Sequence, residues 1–170
     1  MTELPMWTSA ADTGCDPDRI VVGGDVDVVL VADGFVQAAD ADAGSELRAE
    51  DDGSVRWCGE VRARCGDVAV VDADGVRLTV ARAPRDADRL RGTGRLVDDR
   101  HHTYDPDGRL RPAATTRLRI SGLRVLPVEW TRDERTGWHR AIGHGAPLVD
   151  LSAGDSLSTD HLVVASATRS

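Results

Sequence analysis

The segment RWCGEVRAR (56–64), continued by CGD (65–67), VAVV (68–71), DADG (72–75) and VRLTV (76–80), decides the fold. In an extended chain Trp57, Gly59, Val61 and Ala63 fall on one side, and Arg56, Cys58, Glu60, Arg62 and Arg64 on the other. That is period two, the repeat of a strand with one face against a core. Cys65-Gly66-Asp67 is a turn, Val68–Val71 a second short strand, and Ala73-Asp74-Gly75 a hairpin connection in which glycine supplies a positive φ. Val76, Leu78 and Val80 then alternate with Arg77, Thr79 and Ala81. Residues 56–82 are therefore expected to form a three-stranded meander.

Downstream, Pro84 suits a helix start, with Asp86 and Asp88 near its positive end and Arg89 and Arg91 before Gly92. These signals predict a short helix over 84–91. A fourth strand is expected at Thr93–Arg100, and HHTYDPDGRLRPAAT (101–115) reads as a loop broken by Pro106-Asp107-Gly108 and Pro112. A fifth strand runs over 115–128. Leu118 and Ile120 face inward, then the phase slips to Leu123 and Val125, which places a bulge at Ser121-Gly122. Upstream, Ile20–Ala32 is a strand interrupted at Gly23-Gly24, with Val26, Val28, Leu30 and Ala32 on one face and Asp25 and Asp27 on the other. Residues 34–53 turn small and acidic and read as a loop, with one weak helical turn at Phe35, Val36 and Ala39. Met6 and Trp7 are expected to dock on the body. Beyond residue 128, the pieces around Trp130, Trp138 and 148–164 fit one more hairpin packed on the same domain.

Three strands, a helix and two more strands over about 56–128 resemble the OB-fold, a five-stranded Greek-key barrel. The expected fold class is mainly β, a small antiparallel barrel of OB-like or related type, with one short helix and an additional N-terminal strand. The OB likeness implies binding of single-stranded nucleic acid or oligosaccharide on the second and third strands. Trp7, Cys15, Gly24-Asp25-Val26 and Asp99-Arg100-His101-His102 also resemble positions of a family of uncharacterised actinobacterial proteins, although a second cysteine of that pattern is missing here. That family has no function to lend.

Charge divides the chain into three parts. Residues 1–54 carry 13 acids and two arginines, residues 55–128 carry 15 arginines and 10 acids, and residues 129–170 carry six acids and four arginines. An acidic segment (1–54) thus precedes a mildly basic barrel core (55–128) and a C-terminal extension (129–170), within a net charge of −8. All 21 basic residues are arginine, which looks like the codon bias of a GC-rich genome and weakens their abundance as a sign of phosphate binding. Cys15, Cys58 and Cys65 are odd in number and lack CxxC spacing, against a disulfide framework or a structural zinc site. The N-terminal stretch has neither the basic nor the apolar region of a signal peptide, and the expected compartment is a reducing cytoplasm.

Most chemical signatures fail. Asp72–Gly75 and Asp105–Gly108 imitate calcium loops, but an EF-hand register puts Val70 or Thr103 first and Ala81 or Ala114 twelfth. Asp150-Leu151-Ser152-Ala153-Gly154 lacks the first glycine of a nucleophile elbow, and Gly92-Thr93-Gly94 lacks the remainder of a phosphate loop. No cofactor is implied. His101 and His102 with Asp99 are the candidate metal ligands, His139 and His144 being wrongly spaced; adjacent strand residues point apart, so the pair needs a turned chain. Arg56, Arg62, Arg64, Arg77, Arg117 and Arg119 are expected to project as a basic sheet face, with Trp57 turned into the core. The favoured function is a non-catalytic module that meets single-stranded nucleic acid or an acidic protein on that face, the acidic segment pairing with it in the free protein. A protein–protein adaptor, and a small metal-dependent or ligand-binding β-barrel enzyme using His101, His102 and Asp99, are the alternatives. Exposed aromatics beside the arginine rows would favour nucleic acid.

Overall fold

The computed structural model describes residues 3–9, 21–99, 104–127, 129–132, 139–142, 149–150 and 161–169. In chain order these form β1 (Leu4–Ser9), β2 (Asp25–Val28), β3 (Leu30–Ala38), β4 (Glu46–Ala49), β5 (Val55–Cys65), β6 (Val68–Ala73), β7 (Val76–Val80) and β8 (Arg89–Asp98). A single helical turn, α1 (Arg111–Ala114), precedes β9 (Thr116–Pro127), β10 (Glu129–Arg132), β11 (His139–Ile142), β12 (Val149–Asp150) and β13 (His161–Arg169).

The expected meander is β5, β6 and β7. Gly66 makes the first turn with φ 63°, and Asp74 and Gly75 the second with φ 52° and 80°, a pair of positive values whose twist suits a tight hairpin. β7 then lies parallel to β3 through Leu30↔Leu78 and Val31↔Thr79. β3 runs antiparallel to β8 from Leu30↔Asp98 to Ala38↔Leu90, and β8 antiparallel to β5 from Val55↔Gly94 to Glu60↔Arg89. The ring β3-β7-β6-β5-β8 is thus a closed five-stranded mixed barrel.

Two expectations are corrected here. The barrel's remaining strand is Leu30–Ala38, not 115–128; β9 pairs instead with β2, β13 and β12 outside the ring. The stretch read as loop and helical turn supplies β3 and β4. The wall is tight at Gly34, where a Cβ would lie 2.2 Å from the Thr93 carbonyl oxygen. The second correction is the helix expected at 84–91. Arg89–Arg91 are held in the ladders of β8 with β5 and β3, and these long-range pairings override local helix signals. The helical turn sits at Arg111–Ala114 inside the segment read as loop, where Asp105 accepts N–H bonds of 2.8 Å from Arg109, Leu110 and Arg111.

The bulge expected at Ser121-Gly122 is present. β13 pairs Ser166 with Gly122 and Ala167 with Ile120, leaving Ser121 as the extra residue. β2 leads through Val29 into β3, and β9, β13 and β1 curl from β2 back to the Leu96–Val97 end of β8. One core runs through both curls. It holds Val26, Val28, Leu30 and Ala32 on the predicted inward face, Trp57 at 1% exposure, and Leu118 and Ile120 of β9. A smaller cluster of Val29, Val70, Leu110 and Ala114, flanked by Ala63 and Val68, covers part of the barrel's outer wall.

Candidate binding face

The six arginines do not form one patch. Arg56 projects outward from β5 and places Nη2 3.1 Å from Glu50 Oε1. Arg62 contacts Glu60 at 3.1 Å and Asp72 at 3.6 Å, and Arg77 reaches the same Asp72 carboxylate at 3.5 Å. Arg64 donates to the Ala87 carbonyl. Arg117 and Arg119, on β9, flank Asp25 of β2 at 3.8 and 3.5 Å. The division begins at a bulge in β5, where Val61 pairs with Val71 but Ala63 pairs with Val70. One extra residue moves every later side chain to the opposite face, so Ala63 joins the outer cluster and Arg64 no longer shares a face with Arg56.

Another face, absent from the sequence reading, does bring arginine and aromatic side chains together. It is the outer wall of β3, β8, β5 and β4. Register aligns Phe35, Thr93, Arg56 and Arg48 in one row, and Gln37, Arg91, Cys58 and Glu46 in the next. Phe35 is 60% exposed. Arg91 donates from Nε and Nη2 to the Gln37 amide oxygen, turned toward it, at 2.7 and 3.1 Å. At the far end, the Arg95 guanidinium lies 4.7 Å above the Trp7 ring, while the Trp7 indole N–H donates to the Gly53 carbonyl at 3.3 Å. Among the described residues Arg91 and Arg95 meet no carboxylate within ion-pair distance, although Asp33 stands opposite Arg95 in the β3–β8 ladder and, behind the Ser54 hydrogen bonds, Arg95 helps to lower the Asp52 titration; Arg56 and Arg48 face Glu50 and Glu46. The sequence did carry a signal: in RLRGTGRL (89–96) Arg89, Arg91, Thr93 and Arg95 alternate with the inward Leu90, Gly92, Gly94 and Leu96.

At the Arg89 end this wall falls into an open cleft of about 740 Å³, between Ala39 and Ala41 on one side and the Pro84–Asp88 turn on the other. Glu60 and Arg89 lie at its base end of the strands. Arg89 Nε is buried and meets no acceptor among the described residues.

The remaining candidates are less informative. Asp99 is buried and its carboxylate faces the Tyr104 N–H at 3.4 Å. His101 and His102 lie outside the described residues, as do Cys15, His144 and Ser152. Among the described residues no three His, Cys, Asp or Glu side chains converge as a metal site. The two calcium-loop imitators are turns: Asp72 Oδ1 accepts the Gly75 N–H at 2.8 Å, and Asp105 caps α1. Cys58 is buried within the wall, and Cys65 packs in the outer cluster. No helix among the described residues is long and apolar enough to cross a membrane. No protein-family model, curated protein or solved structure matches the chain.

Proposed function

We propose that this protein is a non-catalytic module that binds single-stranded nucleic acid on the outer wall of β3, β8, β5 and β4. The observation that carries the reading is Phe35, widely exposed on the β3 edge of the wall between Arg91 and Arg95 of β8, neither of which makes an ion pair among the described residues. Single-strand binders combine a positive track for the backbone with aromatic platforms for the bases, and stacking on one platform contributes about 1–3 kcal/mol. Phe35 is the platform, Arg91 and Arg95 are the phosphate contacts, and Arg56 joins them when Glu50 is displaced.

The barrel also supports an OB-type reading of its topology. An OB ring runs meander first, then its last strand parallel to the third. Here β5, β6 and β7 form the meander, β8 follows, and β3 takes the place of the last strand although it comes first in the chain. This order fits an OB-type ring read in circular permutation. The wall corresponding to the usual OB ligand face, β6 and β7, is occupied by Leu110 and Ala114 over Val70, and by the Arg62–Asp72–Arg77 cluster. The proposed strand therefore lies on the opposite side of the ring. An acidic protein is the second reading, favoured by the same residues, because an exposed aromatic diagonal to two arginines is also the composition of an interface hot spot.

Fluorescence anisotropy with labelled single-stranded DNA and RNA at two salt concentrations tests the proposal. Phe35→Ala is expected to weaken binding by about 1–3 kcal/mol at both. The Arg91→Ala/Arg95→Ala double variant is expected to flatten the slope of log affinity against log salt by about 1.4, two phosphate contacts at roughly 0.7 each. Absence of binding at low salt refutes the proposal. Removing residues 1–54 is not a usable test, because it takes β3 out of the barrel.

A further inference from the structure

We infer that the opposed arginines Arg48 and Arg56 are a further phosphate subsite of the wall, closed in the free protein by Glu50, and that the bound strand crosses the sheet from Phe35 to reach it. The inference rests on the nucleic-acid reading above and adds to it a course for the strand and a residue that sets its affinity.

The β4–β5 ladder pairs Arg48 directly with Arg56. Both side chains are exposed, and like charges opposite one another in a ladder repel. The chain offsets them from within: Glu46 lies 3.7 Å from Arg48 Nε, and Glu50 Oε1 3.1 Å from Arg56 Nη2. Two guanidinium groups held side by side by backbone register are also a fixed set of donors for a phosphate. Phe35, Thr93, Arg56 and Arg48 form one row across β3, β8, β5 and β4. At one strand spacing per step, Arg56 stands about 10 Å from Phe35 and Arg48 about 15 Å. A strand that stacks a base on Phe35 and follows this row passes Thr93 and meets the arginine pair.

Glu50 is placed to give way. It is in ion-pair contact with Arg56, yet its Oε1 is buried and accepts no aligned hydrogen bond among the described residues. A buried carboxylate oxygen in that state is poorly compensated, and turning it out to water restores its hydration. The backbone that carries it stays fixed. The Glu50 N–H donates to the Ser54 carbonyl at 2.9 Å, and the Gly53 N–H to the Glu50 carbonyl at 3.1 Å. Asp52 accepts the Ser54 N–H, and the Trp7 indole holds the Gly53 carbonyl. Only one side chain has to exchange with a phosphate.

Because the Glu50 carboxylate is tethered beside Arg56, a free anion competes with it poorly. A strand already anchored at Phe35 presents its phosphate at a comparable effective concentration and can replace it. Glu50 thus reserves the arginine pair for ligands that also occupy the aromatic platform.

Fluorescence anisotropy with labelled dT12 at low salt tests this as a double-mutant cycle. Glu50→Gln keeps the size of the side chain and should tighten binding by about two- to fivefold, the range of an exposed ion pair. Most of that gain should vanish in the Arg56→Ala background, because Glu50 acts through Arg56. Asp51→Asn removes an equal charge from the same turn, at an exposed residue with no arginine in ion-pair contact among those described, and should tighten binding less. An unchanged affinity in Glu50→Gln, an equal gain in Asp51→Asn, or a gain that survives Arg56→Ala in full overturns the subsite. In that outcome, binding that Phe35→Ala weakens leaves the wall proposal standing. No binding of dT12 by any of these proteins overturns both.

Discussion

Replacing Gly92 with alanine tests barrel closure at its narrowest point. A Cβ at this position would lie 2.2 Å from the Phe35 carbonyl oxygen on β3, and 2.6 and 2.9 Å from Cζ2 and Cε2 of Trp57 on β5. Phe35 O belongs to backbone of the neighbouring ladder and cannot swing aside. Trp57 is buried in the core, so its ring cannot swing out into solvent. β8 would have to retreat from both neighbours at once, which a closed ring resists. Overpacking costs about 1–3 kcal/mol, and a clash with backbone places this case near the upper end. For a chain of this length, about 3 kcal/mol lowers Tm by roughly 6–12 °C. Urea unfolding followed by tryptophan fluorescence should show a lower midpoint at unchanged slope. Gly44 is the control: it has no heavy atom within 4 Å of a built Cβ and no positive φ. Gly44→Ala should be neutral or stabilising by about 0.4–1 kcal/mol through the unfolded chain. A Gly92→Ala protein that melts together with wild type would refute the closed packing of β3, β8 and β5.

Asp105→Ala should cost about 1–2 kcal/mol, because one carboxylate caps three N–H groups at the start of α1. Hydrogen exchange should accelerate at Arg109–Arg111 while the β5–β8 ladder stays protected; uniform acceleration would mean that the cap is not a local device. Asp52 titrates below its ordinary value near 3.8, chiefly because the Ser54 hydroxyl donates to its carboxylate at 2.6 Å, with the Ser54 N–H adding a bond of 2.9 Å. A depressed folded-state pKa contributes stability above the unfolded value and loses it as pH falls through the folded one. Ser54→Ala should move the Asp52 carboxyl titration, read by NMR, back toward higher pH, and an unmoved curve would exclude the hydroxyl as the cause.

The parts of the fold legible in the sequence were those encoded locally. The meander of β5, β6 and β7 combines period-two alternation with glycine turns, so neither register nor partner had to be known. The Ser121 bulge was legible too, because the apolar phase visibly slips there. The bulge at Arg62 was hidden: Val61 and Ala63 are both apolar, and only the cross-strand register to Val71 and Val70 reveals it. β3 was hidden because Gly34, where the wall leaves no room for a side chain, stands beside Asp33 and before Gln37 and Ala38, a composition that imitates a loop. Arg89 and Arg91 imitate a helix end, and their ladder partners lie some thirty or more residues away in sequence. The binding wall was lost with those two strands, since Phe35 and Arg91 were each placed in a helix.

The same topology changes the meaning of the charge asymmetry. Read as a string, the acidic segment and the basic body suggest a shield over a patch. In the fold, part of that opposition is settled within single ladders and their flanks: Asp25 lies between Arg117 and Arg119, and Glu50 meets Arg56. Exposed pairs of this kind add little stability, with a median of about 0–1 kcal/mol, but each removes a cation from the set available to a phosphate. Function on the wall then depends less on how many arginines the chain carries than on which of them the acidic segment leaves without a carboxylate. On β8 that is Arg91, which holds the Gln37 amide, while Arg95 has Asp33 opposite it and Asp52 in its field; the two arginines bracket the position at which Phe35 crosses from β3.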